Sequence, residues 1–111
     1  MTVEQLTKSP EFSPIILPDC EREIESVYIG DLLSWVMGRA KCGNAWITIM
    51  SNINVLAVAT LVDVSCVILS ESVVPDEEFI KVANDKGVNV IATNLSSYDA
   101  AVKISGMLQH E

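Results

Sequence analysis

Along this chain, short apolar runs with strand spacing alternate with amphipathic stretches opened by polar capping residues. Thr2 to Thr7 reads as a short helix, with Thr2 as N-cap and Gln5 completing a capping box. Pro10, Pro14 and Pro18 follow, so Ile15 to Leu17 can form only a short edge strand or an extended connector. From Ile24 the pattern turns regular. Ile24 to Ile29 reads as a strand, Gly30 as a turn, and Asp31 as the N-cap of a helix to about Ala40. In that helix Leu32 with Val36, and Leu33 with Met37, are spaced to face a sheet. Lys41 to Asn44 closes it, with Gly43 left-handed, and Ala45 to Met50 reads as a buried strand.

Ser51 or Asn52 then caps a helix from Ile53 to Val62, in which Asn54 and Thr60 are the polar positions. A helix apolar on nearly every side needs cover beyond the sheet it packs on. In so small a chain the expected cover is a second subunit, and the sequence therefore predicts a homodimer. Val64 to Leu69 is the next strand. A helix from Asp76 to Lys86 follows, with Glu77 and Glu78 in the first turn where they suit the helix dipole. Gly87 ends it, Val88 supplies the hydrophobic contact of a Schellman motif, and Val88 to Thr93 reads as the last strand. Ser96 and Asp99 open a C-terminal helix expected to bury Tyr98, Ala101, Val102 and Leu108. Strands joined through helices of roughly ten residues pair in parallel by default, with right-handed crossovers. The expected architecture is a layered α/β sandwich with a mostly parallel central sheet flanked by helices.

The length of 111 residues fits a single globular domain. Residues 1–20 read as a short helix and Pro-rich connector, and 21–111 as the α/β domain. Half of the residues are hydrophobic but only 5% are aromatic, so the core must be built from Val, Ile, Leu and Ala. The net charge of −8 repels phosphate backbones and disfavours nucleic acid as a partner. Cys20, Cys42 and Cys66 are odd in number and lack CxxC or Cys/His spacing, which argues against disulfides and zinc and for a reducing, cytoplasmic location. The N-terminus lacks signal-peptide character, and the most apolar stretch, Ile53 to Val62, is too short to span a bilayer.

In parallel sheets ligands gather at the carboxyl ends of strands. Those ends carry Gly30 and Asp31, Ser51 and Asn52, Ser70 and Glu71, and Thr93 to Ser97. The candidate ligand-binding residues are Asp31, Ser34, Thr48, Ser51, Asn52, Asn54, Thr93, Asn94 and Ser96. Each has a plainer role beside the functional one. Asp31 and Ser34 suit a helix start, and Thr48 suits a β-strand. The cluster Ser51, Asn52 and Asn54 can bind an anion or a purine edge, or simply cap a helix. Thr93, Asn94 and Ser96 can line a pocket or only satisfy a loop. Trp46 reads as packing, and Trp35 is the better candidate for a subunit interface.

No catalytic constellation emerges. His110, the single histidine, lies next to the chain end, and no Ser-His or Cys-His pair assembles. Cys42 and Cys66 read as inert small hydrophobes. Glu21, Glu23 and Glu25, with Asp19 nearby, would share one face of an extended segment and suggest a hard-cation site. A solvated edge that discourages aggregation is the plainer account. No metal, no cofactor and no enzymatic activity are expected.

The segments GDLLSWVMGRA, Trp46-Ile47-Thr48-Ile49, the Asn54-to-Ala59 helix and the Val74-to-Glu78 entry together resemble the DRTGG domain, over about Glu21 to Leu108. The resemblance implies a fold similar to the N-terminal domain of HPr kinase/phosphorylase and a dimeric regulatory or ligand-sensing role. Nucleotides are the implied ligand class, because such domains also occur beside CBS modules. The family's Asp-Arg and Thr-Gly-Gly signature falls on Glu21-Arg22 and Glu25-Ser26-Val27, which keeps the arginine and loses both glycines. Without glycine a phosphate approaches the backbone less closely. Ser51 to Asn54 and Thr93 to Ser97 are therefore expected to matter more than Glu25 to Val27. The functional expectation is a non-catalytic regulatory module that binds a nucleotide or other small metabolite as a homodimer. The alternative is a protein-interaction subunit that docks on an enzyme without a small ligand.

Overall fold

The computed structural model describes residues 1–110. The element order is α1 (Val3–Leu6), β1 (Phe12–Ile16), β2 (Ser26–Ile29), α2 (Leu33–Arg39), β3 (Asn44–Thr48), α3 (Ile53–Val62), β4 (Cys66–Leu69), α4 (Glu77–Lys86), β5 (Val90–Thr93) and α5 (Ser97–Gln109). The strands form one sheet in the order β1-β5-β4-β3-β2. β2, β3, β4 and β5 run parallel, and β1 closes one edge antiparallel to β5. The mostly parallel sandwich expected from the alternation is the observed fold. Pro14 sits in β1, where an edge position tolerates a residue without an N–H, and the register shifts between Pro14 and Ile16.

Side chains alternate across the sheet and build two cores. Trp46, Val67, Leu69 and Val90 point to the layer of α2, α3 and α4, where they meet Val36, Val55, Leu56, Phe79 and Ala83. Ala45, Ile47, Cys66, Ile68 and Ile91 point the other way, onto Val3 and Leu6 of α1 and Ala100 and Ile104 of α5. Central strands buried on both faces account for the near-continuous apolar runs in the sequence. The chain thus crosses on one face after β2, β3 and β4, and passes to the opposite face after β5.

Local capping follows the sequence closely. Thr2 accepts from the Gln5 N–H and the Gln5 side chain returns to the Thr2 N–H. Asn52, Asp76 and Ser96 cap α3, α4 and α5. Gly43 and Gly87 have φ of 84° and 73°, and the Val88 N–H reaches back to the Ala83 carbonyl as a Schellman motif requires.

Several expectations are corrected. Asp31 is not the cap of α2: Leu32 occupies that position without a side-chain cap bond, because the Asp31 carboxylate is engaged on β3. Leu32 and Met37 face solvent rather than the sheet, leaving Val36 and, in part, Leu33 as the inward positions of α2. Tyr98 and Val102 are exposed on α5, whose inward stripe is Ala100 and Ile104; Ala101 and Leu108 pack only partly. β2 starts at Ser26, two residues later than expected, because Thr2 and Glu23 form a separate bridge to the N-terminal segment. β3 ends at Thr48, and β4 and β5 begin at Cys66 and Val90. Since residues before Ser26 are not extended in β2, Glu21, Glu23 and Glu25 do not share a strand face. Glu23 pairs with the Met1 amino group, and Glu25 lies against Gly43.

Candidate functional site

At the carboxyl end of the parallel strands the sequence candidates separate into two groups. The first gathers at β2 and β3. Asp31 Oδ1 accepts from the Thr48 hydroxyl at 2.8 Å and from the Ile49 N–H at 3.0 Å, and Thr48 Oγ1 in turn accepts from the Met50 N–H at 3.1 Å. Asn52 Oδ1 is taken by the Asn54 N–H. Ser51 is half-buried, while Ser34 and Asn54 are exposed on the first turns of α2 and α3. This group fastens the β2–α2 loop onto the end of β3, with Asp31 Oδ1, Thr48 Oγ1 and Asn52 Oδ1 each accepting a main-chain N–H.

The second group lies at β4 and β5. Here the chain after β4 turns to α4 on one face, and the chain after β5 turns to α5 on the other, so the loops diverge as at the switch point of an open α/β sheet. Ser70 and Ser97 join across the fork, Oγ to Oγ, at 2.7 Å. The Ser72 hydroxyl donates to Asn94 Oδ1 at 3.0 Å, and Thr93 Oγ1 accepts from the Leu95 N–H. Ser96 is spent on capping α5.

Glu71 and Ser72 are consecutive left-handed residues, with φ of 59° and 63°. Each costs a non-glycine residue roughly 1–2 kcal/mol. The Glu71 and Ser72 N–H groups bond the Leu95 and Thr93 carbonyls, which holds the conformation in place. Strained backbone of this kind concentrates where a loop must present groups to a ligand.

Beside this fork is a cavity of about 320 Å³, lined by Ser72, Val73, Val74, Thr93, Asn94 and Leu95, with Pro10, Glu11 and Ser13 from the β1 side. Its walls mix apolar surface with hydroxyl, amide and carboxylate groups. Among the described residues none of its lining side chains is cationic, and Lys103 is engaged with Glu11. Glu11, Ser13 and Ser72 escaped the sequence reading. The first two reach the cavity only through the antiparallel pairing of β1 with β5, and nothing in the sequence marks Ser72 as left-handed. A second, more open groove of about 600 Å³ lies between β2 and α5, and includes Glu25, Ser26 and Val27.

The arginine retained in the signature stretch has a structural task. Arg22 donates to Asp63 Oδ1 at 2.8 Å and to the Asp63 carbonyl at 3.0 Å, clasping the left-handed residue that ends α3. Arg22, followed by the Cys42 thiol at 3.3 Å, holds the Asp63 carboxyl below its ordinary range. Cys42 is raised by the same Asp63 contact, Cys20 by Glu4, and burial pushes Cys66 up to about 12. Among the described residues no three His, Cys, Asp or Glu side chains converge as metal ligands, and no helix is long and apolar enough to cross a membrane.

The family model of the DRTGG domain matches residues 19–107. Among solved structures the chain is similar to the CBS and DRTGG domains of the regulatory region of Clostridium perfringens pyrophosphatase, complexed with its activator diadenosine tetraphosphate. The identity is 17% and the TM-score 0.74, over 91% of this chain and 44% of that one, so the chain spans less than half of that structure. No curated protein matches the sequence.

Proposed function

The chain belongs to the DRTGG domain family, and on that premise we propose that it is a non-catalytic regulatory module that binds a small metabolite, a nucleotide foremost, and works as a homodimer. The observation that carries this reading is the β4–β5 fork, where a strained loop, a cavity and several polar side chains coincide. We place the ligand on Thr93, Asn94 and Ser72, with Ser96 and Ser70 shaping the loop behind them. Asp31, Ser34, Thr48, Ser51, Asn52 and Asn54 lie at the β2–β3 end, outside this cavity, and would form a second, separate set of ligand contacts. The similar pyrophosphatase region, bound to a dinucleotide, favours a nucleotide as the first ligand to try.

The lining determines how a nucleotide would sit. With no cation on the wall, the base and sugar occupy the cavity through hydrogen bonds and apolar contact, and the phosphates face solvent. Thermal unfolding in millimolar adenosine, AMP, ATP and diadenosine tetraphosphate tests the reading. Ligand at 100 times its Kd stabilises a protein by about 2.7 kcal/mol, a readily measured rise in Tm. Absence of any shift across the panel would sink the small-ligand reading and leave docking on an enzyme partner in its place.

A further inference from the structure

Glu11 stands on the wall of the fork cavity, one residue before β1, and two donors hold it there through the same oxygen. Lys103 Nζ, from α5, pairs with Oε2, and the Ser9 hydroxyl donates to that oxygen at 3.1 Å. Among the described residues the other oxygen, Oε1, has no partner. Lys103 keeps the Glu11 carboxyl below its ordinary range, so at neutral pH it is ionised and can only accept hydrogen bonds. Such a group turns phosphate away and calls for a hydroxyl or an amine. Ser13, two residues on, lines the same cavity and adds a hydroxyl beside it. The lining from the two loops of the fork is of another kind. Val73, Val74 and Leu95 are apolar, and Asn94, its Oδ1 taken by Ser72, keeps its Nδ2 donor for a ligand.

We propose that Glu11 reads the sugar of a ribonucleoside bound in this cavity, its Oε1 accepting from one ribose hydroxyl while Ser13 meets the other. The proposal rests on the nucleotide reading above and names the residue that recognises the sugar. A flat base fills the apolar part of the cavity, where the Asn94 amide can donate to a ring nitrogen, and the sugar then falls to the β1 side. The exocyclic amine of a base is the other donor a nucleotide carries, but the base belongs with the apolar residues and Asn94 rather than with a carboxylate. A carboxylate on a ribose hydroxyl is a recurrent device in α/β nucleotide sites. Here Lys103 is a positioning residue: by occupying Oε2 it fixes the direction in which Oε1 points.

Isothermal calorimetry on the full chain with adenosine, 2′,3′-dideoxyadenosine and purine riboside tests the assignment. The wild type is expected to bind adenosine about tenfold more tightly than the dideoxy compound, as one hydrogen bond to a charged group would give. Purine riboside keeps the sugar and lacks the amine, and is expected to bind like adenosine. Glu11→Ala alters a partly exposed side chain. It is expected to lower the affinity for adenosine and purine riboside to that for dideoxyadenosine, with the dideoxy affinity and circular dichroism unchanged. Lys103→Met is expected to reduce the preference for adenosine over dideoxyadenosine about threefold, without changing the dideoxy affinity. Equal binding of adenosine and dideoxyadenosine by the wild type overturns the sugar assignment and leaves the nucleotide reading standing. So does an equal loss of both in Glu11→Ala, or a wild-type preference for adenosine over purine riboside that vanishes in that variant. If no nucleoside binds the wild type at millimolar concentration, the nucleotide reading falls together with this one.

Discussion

The carboxylate of Asp31 and the hydroxyl of Thr48 meet at 2.8 Å, one from the loop after β2 and the other from the end of β3, with Thr48 fully buried. Asp31 also receives the Ile49 N–H, so one side chain ties the entry of α2 to the neighbouring strand.

Removing Asp31 leaves a buried hydroxyl and a main-chain donor without their acceptor, a loss of roughly 1–3 kcal/mol. Asp31→Ala is expected to fall in that range by urea denaturation, and Thr48→Val below it. The double variant should reveal a coupling of about 1 kcal/mol. Strictly additive effects would show that the bond contributes nothing to stability.

Glu71 sits left-handed at φ 59° with an exposed side chain. Replacement by glycine removes the Cβ penalty, so Glu71→Gly is expected to stabilise the protein by about 1 kcal/mol. At the neighbouring site, Ser72→Ala and Asn94→Ala are each expected to weaken nucleotide binding about fivefold by isothermal calorimetry, the worth of one hydrogen bond. Unchanged affinity in both would move the ligand away from the fork.

Arg22 holds the Asp63 carboxyl below its ordinary range, so in the folded protein Asp63 binds its proton less readily than in the unfolded chain. That contribution to stability is present at neutral pH and is lost as pH falls below about 5 and through the depressed value. Arg22→Gln is therefore expected to flatten this part of the pH–stability curve. Asp63 is largely exposed and solvent screens the pair, so the change is a fraction of a kcal/mol. A profile identical to wild type would remove the pair from the stability balance.

The three thiols should differ in reactivity. Cys66, buried and raised to about 12, is expected to resist iodoacetamide at pH 8 until the protein unfolds. Cys42 is exposed but raised by Asp63. Asp63→Asn is expected to speed its alkylation several-fold, followed by mass spectrometry of the labelled peptides. Labelling of native Cys66 at the rate of Cys42 would contradict this environment.

What the sequence by itself determined is what local physics encodes. The caps Thr2 and Ser96, the left-handed Gly43, the stop at Gly87 and the Ile53–Val62 helix all follow from interactions within a few residues, while the structure chose Asn52 over Ser51 as the cap of α3 and made Asp76 the cap of α4 instead of its first residue. The parallel sandwich followed from connection length and handedness, and the family from the segments between Gly30 and Glu78. Tertiary structure alone decided which side of each helix is buried: Leu32, Met37, Tyr98 and Val102 have the right spacing and still face solvent. Periodicity specifies a stripe but not its cover. Likewise Asp31, a natural cap by sequence, was drawn to Thr48 because β2 and β3 are neighbours in the sheet. The cavity depends most on the fold, since Glu11 and Asn94 come together only when β1 pairs against β5 and the chain changes face after β5.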